Sequence, residues 1–140
     1  MIMIDGLENI DIPDSGVKLE PYWNGASAGR LLLPRCENCR RLHWYPRALC
    51  PFCFSGEIEW REASGKGKIY SFSIMRSVKK PYVIAYVMLE EGITMMTNIV
   101  DCDADRLTIG QDVGVKFVIH GVTPVPVFVP TPMRSANLAP

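Results

Sequence analysis

The chain has 140 residues, 48% of them hydrophobic and 21% charged, with 15 Lys and Arg against 15 Asp and Glu. That composition excludes an intrinsically disordered polymer, and the length suits one compact domain with a small appendage. No apolar run reaches the roughly 18 residues of a membrane span.

The neutral total hides a sign pattern. Residues 1–29 carry one Lys and five acids, residues 30–80 eleven basic and four acidic side chains, and residues 81–140 three basic and six acidic ones. A positive middle flanked by acidic ends attracts phosphates, or is neutralised internally or by a partner subunit.

In chain order, residues 1–18 mix apolar and acidic residues with Gly6, Pro13 and Gly16 and read as a loose arm. The opening Met1-Ile2-Met3-Ile4 lacks the basic flank and apolar stretch of a signal peptide, so the expected compartment is the reducing cytoplasm. Pro21 suits a first helical turn, Gly29 suits a stop, and between them Tyr22, Trp23 and Ala26 lie close on one side. Trp23 then packs either on the chain's own core or on another subunit. Leu31-Leu32-Leu33 reads as a strand.

Cys36-Glu37-Asn38-Cys39, ten residues, then Cys50-Pro51-Phe52-Cys53 follow. Two CxxC pairs bring four thiolates to one tetrahedral zinc ion at about 2.3 Å. The alternatives are two disulfides or unrelated thiols. Four cysteines leave zinc no open position, so the site reads as structural. His43 is spaced like neither pair and reads as a hairpin residue. Glycine often follows the second cysteine of such a knuckle, where the backbone favours φ > 0, but here Arg40 and Phe54 stand there. The knuckles are therefore expected to be strained. Glu57-Ile58-Glu59-Trp60 alternates and closes this rubredoxin-like ribbon, which is too small to fold without its metal.

From Gly65 the pattern becomes strands and turns. Runs cover Lys68 to Arg76, Tyr82 to Glu90, Ile93 to Val100, Val113 to His120 and Val125 to Val129, with one helical turn around Asp103 to Leu107. Five short strands predict a closed Greek-key barrel of the OB-fold type, with an SH3-like barrel as the alternative. Gly65 and Gly67 let its first strand bend. The fold class is thus mainly β: a short N-terminal helix, a zinc ribbon and a five-stranded OB-fold barrel. The expected division is residues 1–30 for arm and helix, 31–62 for the ribbon, 63–130 for the barrel and 131–140 for a proline-rich tail.

The second barrel strand is apolar on both sides: Val83, Ala85, Val87 and Leu89, and equally Tyr82, Ile84, Tyr86 and Met88. Its outer face is expected to be covered by the helix, the ribbon or another protein. Met95-Met96 is expected to continue that surface.

These stretches resemble the domain of unknown function 35 (DUF-35) family of zinc-ribbon/OB-fold proteins. The resemblance spans roughly residues 19–130. It rests on Pro21-Tyr22-Trp23, Gly29-Arg30-Leu31, the two CxxC pairs, Tyr45-Pro46-Arg47, Gly65-Lys66-Gly67-Lys68-Ile69-Tyr70-Ser71, Pro81 to Val87, Thr97 to Cys102 and Gly110-Gln111-Asp112-Val113. It implies a zinc-binding partner subunit of a thiolase-like enzyme, in a hetero-oligomer that makes or breaks carbon–carbon bonds in acyl-CoA thioesters. Two settings are implied: an archaeal acetoacetyl-CoA thiolase with hydroxymethylglutaryl-CoA synthase, and a bacterial aldolase that removes steroid side chains. Thr97 to Asp103 looks most like the second.

The sequence supplies no active site of its own. Cys102, the one thiol outside the ribbon, has no base placed beside it by spacing and reads as a packed residue. Asp101, Asp103 and Asp105 form either a weak cation site or a solvated turn. Lys66, Lys68, Arg76, Lys79 and Lys80 are candidates to meet CoA phosphates or a partner's acids. With Tyr70, Phe72 and Tyr82 they also fit a single-stranded nucleic-acid platform, against which the neutral net charge argues.

Overall fold

The computed structural model describes residues 19–131 and the backbone of a two-residue strand, β1 (Met3–Ile4). The expected loose arm, apart from β1, and the proline-rich tail beyond Thr131 lie outside the described residues.

Helix α1 (Glu20–Ser27) starts with Pro21 in its first turn and ends before Gly29, at φ 75°. A ribbon hairpin pairs β2 (Leu32–Cys36) with β3 (Ile58–Glu62), Leu32 opposite Glu62 and Cys36 opposite Ile58. The barrel follows as β4 (Lys66–Met75), β5 (Tyr82–Leu89), β6 (Thr94–Ile99), β8 (Asp112–His120) and β9 (Thr123–Pro130). Between β6 and β8 come the short β7 (Cys102–Asp103), paired with β1, and one 3-10 turn (Ala104–Arg106). The barrel closes in the order β4-β5-β6-β9-β8. All pairings are antiparallel except β6–β9, a parallel bridge at Ile99 and Phe128. This is the OB-fold order.

The inward residues of β5, Val83, Ala85, Val87 and Leu89, are all buried, with Ile69, Ile99, Val113 and Phe128 around them. Leu31, Leu33 and Tyr22 belong to the same cluster, so helix, ribbon and barrel share one core. Two glycines permit the closure. A Cβ on Gly65 would stand 2.6 Å from Val115 Cγ1, and one on Gly67 would stand 2.7 Å from the Met88 carbonyl oxygen.

Proline is admitted into β9 by strand geometry. Phe117 faces Pro126 and Ile119 faces Pro124. The Phe128 carbonyl accepts from Val100 N–H at 2.9 Å, on the side away from β8. Backbone groups of alternate residues point the same way, so Pro124 and Pro126 aim their missing N–H away from β8 and the β8–β9 ladder loses no bond.

Three expectations are resolved here. Trp23 packs on the chain's own core, edge-on to Tyr22 at 4.9 Å and against Val125 and Val127 of β9. Met95 does not continue the outer surface: it turns inward and is buried opposite Val87, and only Met96 points out. The outer face of β5 is half-buried at Tyr82 and Ile84, but Tyr86 and Met88 are exposed.

Candidate metal centre and the surfaces around it

Each CxxC pair bends through a tight turn whose backbone N–H groups face sulfur. Cys39 N–H points at Cys36 Sγ (3.4 Å), and Phe52 N–H at Cys50 Sγ (3.3 Å). The spacer turns back on β2, where Cys36 N–H donates to the Arg41 carbonyl at 2.9 Å and His43 N–H to the Pro34 carbonyl at 3.1 Å. Glu37 N–H donates to the Glu57 carbonyl at 2.9 Å, tying the first knuckle to the chain that leaves the second. Behind them β2 and β3 hold the hairpin, helped by an Arg61–Glu37 ion pair at 2.7 Å.

All four sulfurs lie within 4.8 Å of one another. Cys36 and Cys53 stand 3.5 Å apart, Cys39 and Cys50 3.6 Å. A disulfide needs about 2.05 Å. Four thiolates at about 2.3 Å around one ion are separated by roughly 3.8 Å. The spacing is that of a tetrahedral donor set, and all four cysteines are free.

The electrostatics agree. The Asn38 side-chain amide, 3.4 Å from Cys53 Sγ, and then the Ser55 backbone hold the Cys53 thiol down to about 6. Burial opposes ionisation of Cys50, but backbone N–H groups of Cys53 and Phe52 outweigh it and lower its pKa. The Arg41 backbone favours the Cys39 thiolate, yet burial and the neighbouring sulfurs carry that thiol up to about 11. A divalent cation relieves that crowding, and soft thiolates in tetrahedral array suit zinc. The residues therefore fit a structural zinc ion with no open position. His43 stays outside the donor set. It is buried, both ring nitrogens lack a partner among the described residues, and burial followed by the Arg47 charge lowers its pKa.

The expected strain is present. Arg40 has φ 66° and Phe54 φ 64°, the left-handed conformation that favours glycine.

The five basic candidates do not converge. Lys66 and Lys68 open β4, while Arg76, Lys79 and Lys80 follow its far end. Eight residues of strand, roughly 25 Å of chain, separate Lys68 from Arg76. Lys68 pairs with Asp112 at 2.6 Å and Arg76 with Asp105 at 3.2 Å. Phe72, a candidate stacking residue, packs against the core. Among the described residues there is no continuous basic-aromatic platform on the barrel. The acidic turn is likewise engaged: Asp101 pairs with Lys116, Asp103 caps the Asp105 N–H, and Asp105 meets Arg76. Cys102 is buried, its Sγ 3.9 Å from the Ile99 carbonyl oxygen. Burial and then Asp103 and Asp101 push its thiol up to about 11, so it is not a poised nucleophile.

The ribbon tip shows a feature absent from the expectations drawn from sequence, and the barrel adds Tyr70 to the apolar outer face that they include. At the ribbon tip Leu49, Phe52 and Phe54 are exposed, Phe54 at 73%, with the Arg41 guanidinium 4.8 Å from the Phe52 ring centroid. Apolar residues inside a cysteine turn, where no core exists to bury them, are the signal for it. On the barrel, Tyr86 and Met88 are joined by Met96 at 60% and by Tyr70. Met96 stands directly opposite Tyr86, and Tyr70 sits in a bulge that turns it outward.

Comparison with known proteins places this architecture. Residues 23–59 match the family described as "ChsH2, rubredoxin-like zinc ribbon domain", and residues 60–118 the family described as "ChsH2, C-terminal OB-fold domain". A "DUF35 domain-containing scaffold protein" of Methanothermobacter thermautotrophicus is 38% identical over 90 residues, 59% of this chain and 68% of that protein. "Benzoylsuccinyl-CoA thiolase subunit BbsA" of Geobacter metallireducens is 34% identical over 87 residues, 54% of this chain and 59% of that subunit. A solved structure described as "Ltp2-ChsH2(DUF35) aldolase" superimposes with a TM-score of 0.75 at 30% identity, over 85% of this chain and 98% of the matched one. Across three curated relatives the chain spans 68%, 30% and 64% of their length. Among the described residues no helix is long and apolar enough to cross a membrane. With its cysteine ribbon, its barrel order and these relatives in agreement, the chain belongs to the DUF35 family.

Proposed function

We propose that this chain is the zinc-braced accessory subunit of a thiolase-like enzyme that makes or breaks carbon–carbon bonds in acyl-CoA thioesters. Its preferred setting is retro-aldol cleavage of a steroid side chain in the cytoplasm. The observation that carries the reading is the likeness over 98% of the DUF35 chain in the Ltp2-ChsH2 aldolase. A chain of one compact core, with its remaining thiol buried, and with apolar side chains left on the outer barrel face supports the same reading.

In this role Cys36, Cys39, Cys50 and Cys53 hold the zinc and fix the ribbon to the barrel. The outer face of β5 and β6 meets the enzyme. The groups proposed to meet CoA phosphates or the enzyme's acids are Lys66 and Lys68 at one end of β4 and Arg76, Lys79 and Lys80 at the other, Lys68 and Arg76 by exchanging their partners Asp112 and Asp105. The enzyme subunit supplies the reacting groups.

Co-expression of this chain with thiolase-like proteins of its own host tests the reading. A stoichiometric complex that cleaves an acyl-CoA β-hydroxy thioester, with neither protein active alone, is the expected result. A monodisperse chain that binds none of them overturns it.

A further inference from the structure

We propose that the tip of the zinc ribbon is a docking surface for an acidic, apolar-centred patch on the partner protein. This rests on the accessory-subunit reading and names a surface of the chain separate from the barrel face.

Strain is the first observation. Both knuckles place a non-glycine residue at positive φ, Arg40 at 66° and Phe54 at 64°. Glycine takes that conformation without the steric cost that a Cβ brings. Neither side chain contributes to the core: Arg40 is exposed and Phe54 is 73% exposed. Backbone strain kept for the sake of two outward side chains points to what those side chains touch.

Charge is the second. Arg30, Arg35, Arg61, Lys68, Arg76 and Lys116 all face carboxylates within the chain. Arg40, Arg41 and Arg47 face none among the described residues. Arg41 lies over Phe52 instead, 4.8 Å from its centroid. The tip thus joins the Arg40 and Arg41 guanidinium groups, which face no carboxylate among the described residues, to the exposed apolar side chains of Phe52, Phe54 and Leu49. Arg with aromatic residues is the composition of a protein–protein interface core, and Arg pairs with carboxylates two bonds at a time. Single-stranded nucleic acid is disfavoured, since the tip offers two neighbouring guanidinium groups rather than a basic track and the net charge of the chain is zero.

The substitution Arg40→Gly with Phe54→Gly separates docking from scaffolding. If the two side chains served the fold, their removal would lower thermal stability and zinc retention. On our proposal zinc content stays at one per chain, thermal stability is unchanged or higher, and affinity for the co-expressed thiolase-like protein falls about tenfold or more. Arg41→Glu, which leaves both left-handed residues in place, should weaken the complex in the same direction and flatten its dependence on salt.

A wild-type complex that the double variant forms equally well overturns the proposal and leaves the accessory reading standing. If the wild type binds no thiolase-like protein, both fall together. If wild type binds single-stranded oligo(dT) and the double variant does not, the tip is a nucleic-acid site and the proposal is overturned in that direction.

Discussion

Tyr22 of the helix and Trp44 of the ribbon stand with ring centroids 5.4 Å apart, and the same tyrosine lies 4.9 Å from Trp23 and 6.2 Å from Trp60. All three tryptophans of the chain therefore surround one phenol ring. Helix, ribbon hairpin and barrel meet at this ring, because Tyr22 also belongs to the cluster that fills the barrel. Removing it should loosen all three elements at once. Tyr22→Ala should cost about 3–5 kcal/mol, as for other buried aromatic truncations, and lower Tm by on the order of 10 °C. Tryptophan emission of the folded variant should shift to the red. Calorimetry together with fluorescence checks both effects, and a variant within a degree or two of wild type contradicts the account.

The same residue gives the chain an alkaline limit. Burial, and then the nearby Tyr45, raises the Tyr22 pKa above its ordinary 10.0. The folded state thus favours the neutral phenol more than the unfolded state does. That contribution to stability is fully present below pH 10 and is lost as the pH rises beyond it. The Cys102 thiol, raised to about 11 chiefly by burial, adds a loss of the same sign beginning near pH 9. Tyr22→Phe keeps the ring and removes the ionisable group. Its stability should fall less than that of wild type between pH 10 and pH 11 in denaturant titrations. Parallel curves for the two proteins would place the alkaline transition elsewhere.

Zinc removal should act on the ribbon first. The hairpin β2–β3 has a short ladder, and its tip is held by the four sulfurs rather than by apolar burial. A strong chelator should therefore unfold the knuckles, and the change should be seen by Trp44 and Trp60, which pack at the base of the ribbon. The barrel, closed by its own five strands, should retain its far-ultraviolet signal at first and melt at a lower temperature. Cys50→Ser should do the same without chelator. Metal analysis giving one zinc per wild-type chain and none tightly held in the variant is the check.

How much of this is legible in the sequence depends on the physical range of each effect. The cysteine spacing announces the metal centre because ligand geometry is local: two residues between sulfurs set one bite, and a hairpin sets the other. The inward residues of β5 are legible because alternation is imposed by the strand itself. Met95 is misread from sequence since a Met-Met pair cannot sit on one face of a strand, and the registry that turns Met95 inward is fixed by its opposition to Val87. Lys66 through Lys80 look like one basic patch only in a linear reading. A ten-residue strand carries its two ends apart, and Asp112 and Asp105, far along the chain, neutralise Lys68 and Arg76. The strand expected at Val125 to Val129 begins two residues earlier, at Thr123, and so contains Pro124 as well as Pro126. That they sit inside a barrel strand follows from which edge of β9 meets β8, a tertiary fact.

The exposed apolar face of the barrel gives the last prediction. Tyr86 of β5 stands opposite Met96 of β6, and Met88 follows two residues along the same face. These side chains are exposed, so replacing Tyr86 and Met96 by Lys removes little burial from the isolated chain. Each change should alter folding stability by no more than about 0.5 kcal/mol. In a complex that covers this face the same two lysines would lose water without gaining a partner, a penalty of several kcal/mol. Affinity for the thiolase-like subunit should then fall at least a hundredfold, which corresponds to about 2.8 kcal/mol. Equilibrium unfolding of the double variant alone, followed by titration against the enzyme subunit, separates the two quantities. Unchanged affinity with unchanged stability would mean that the enzyme sits on another side of the barrel, and the apolar face would then need a different occupant.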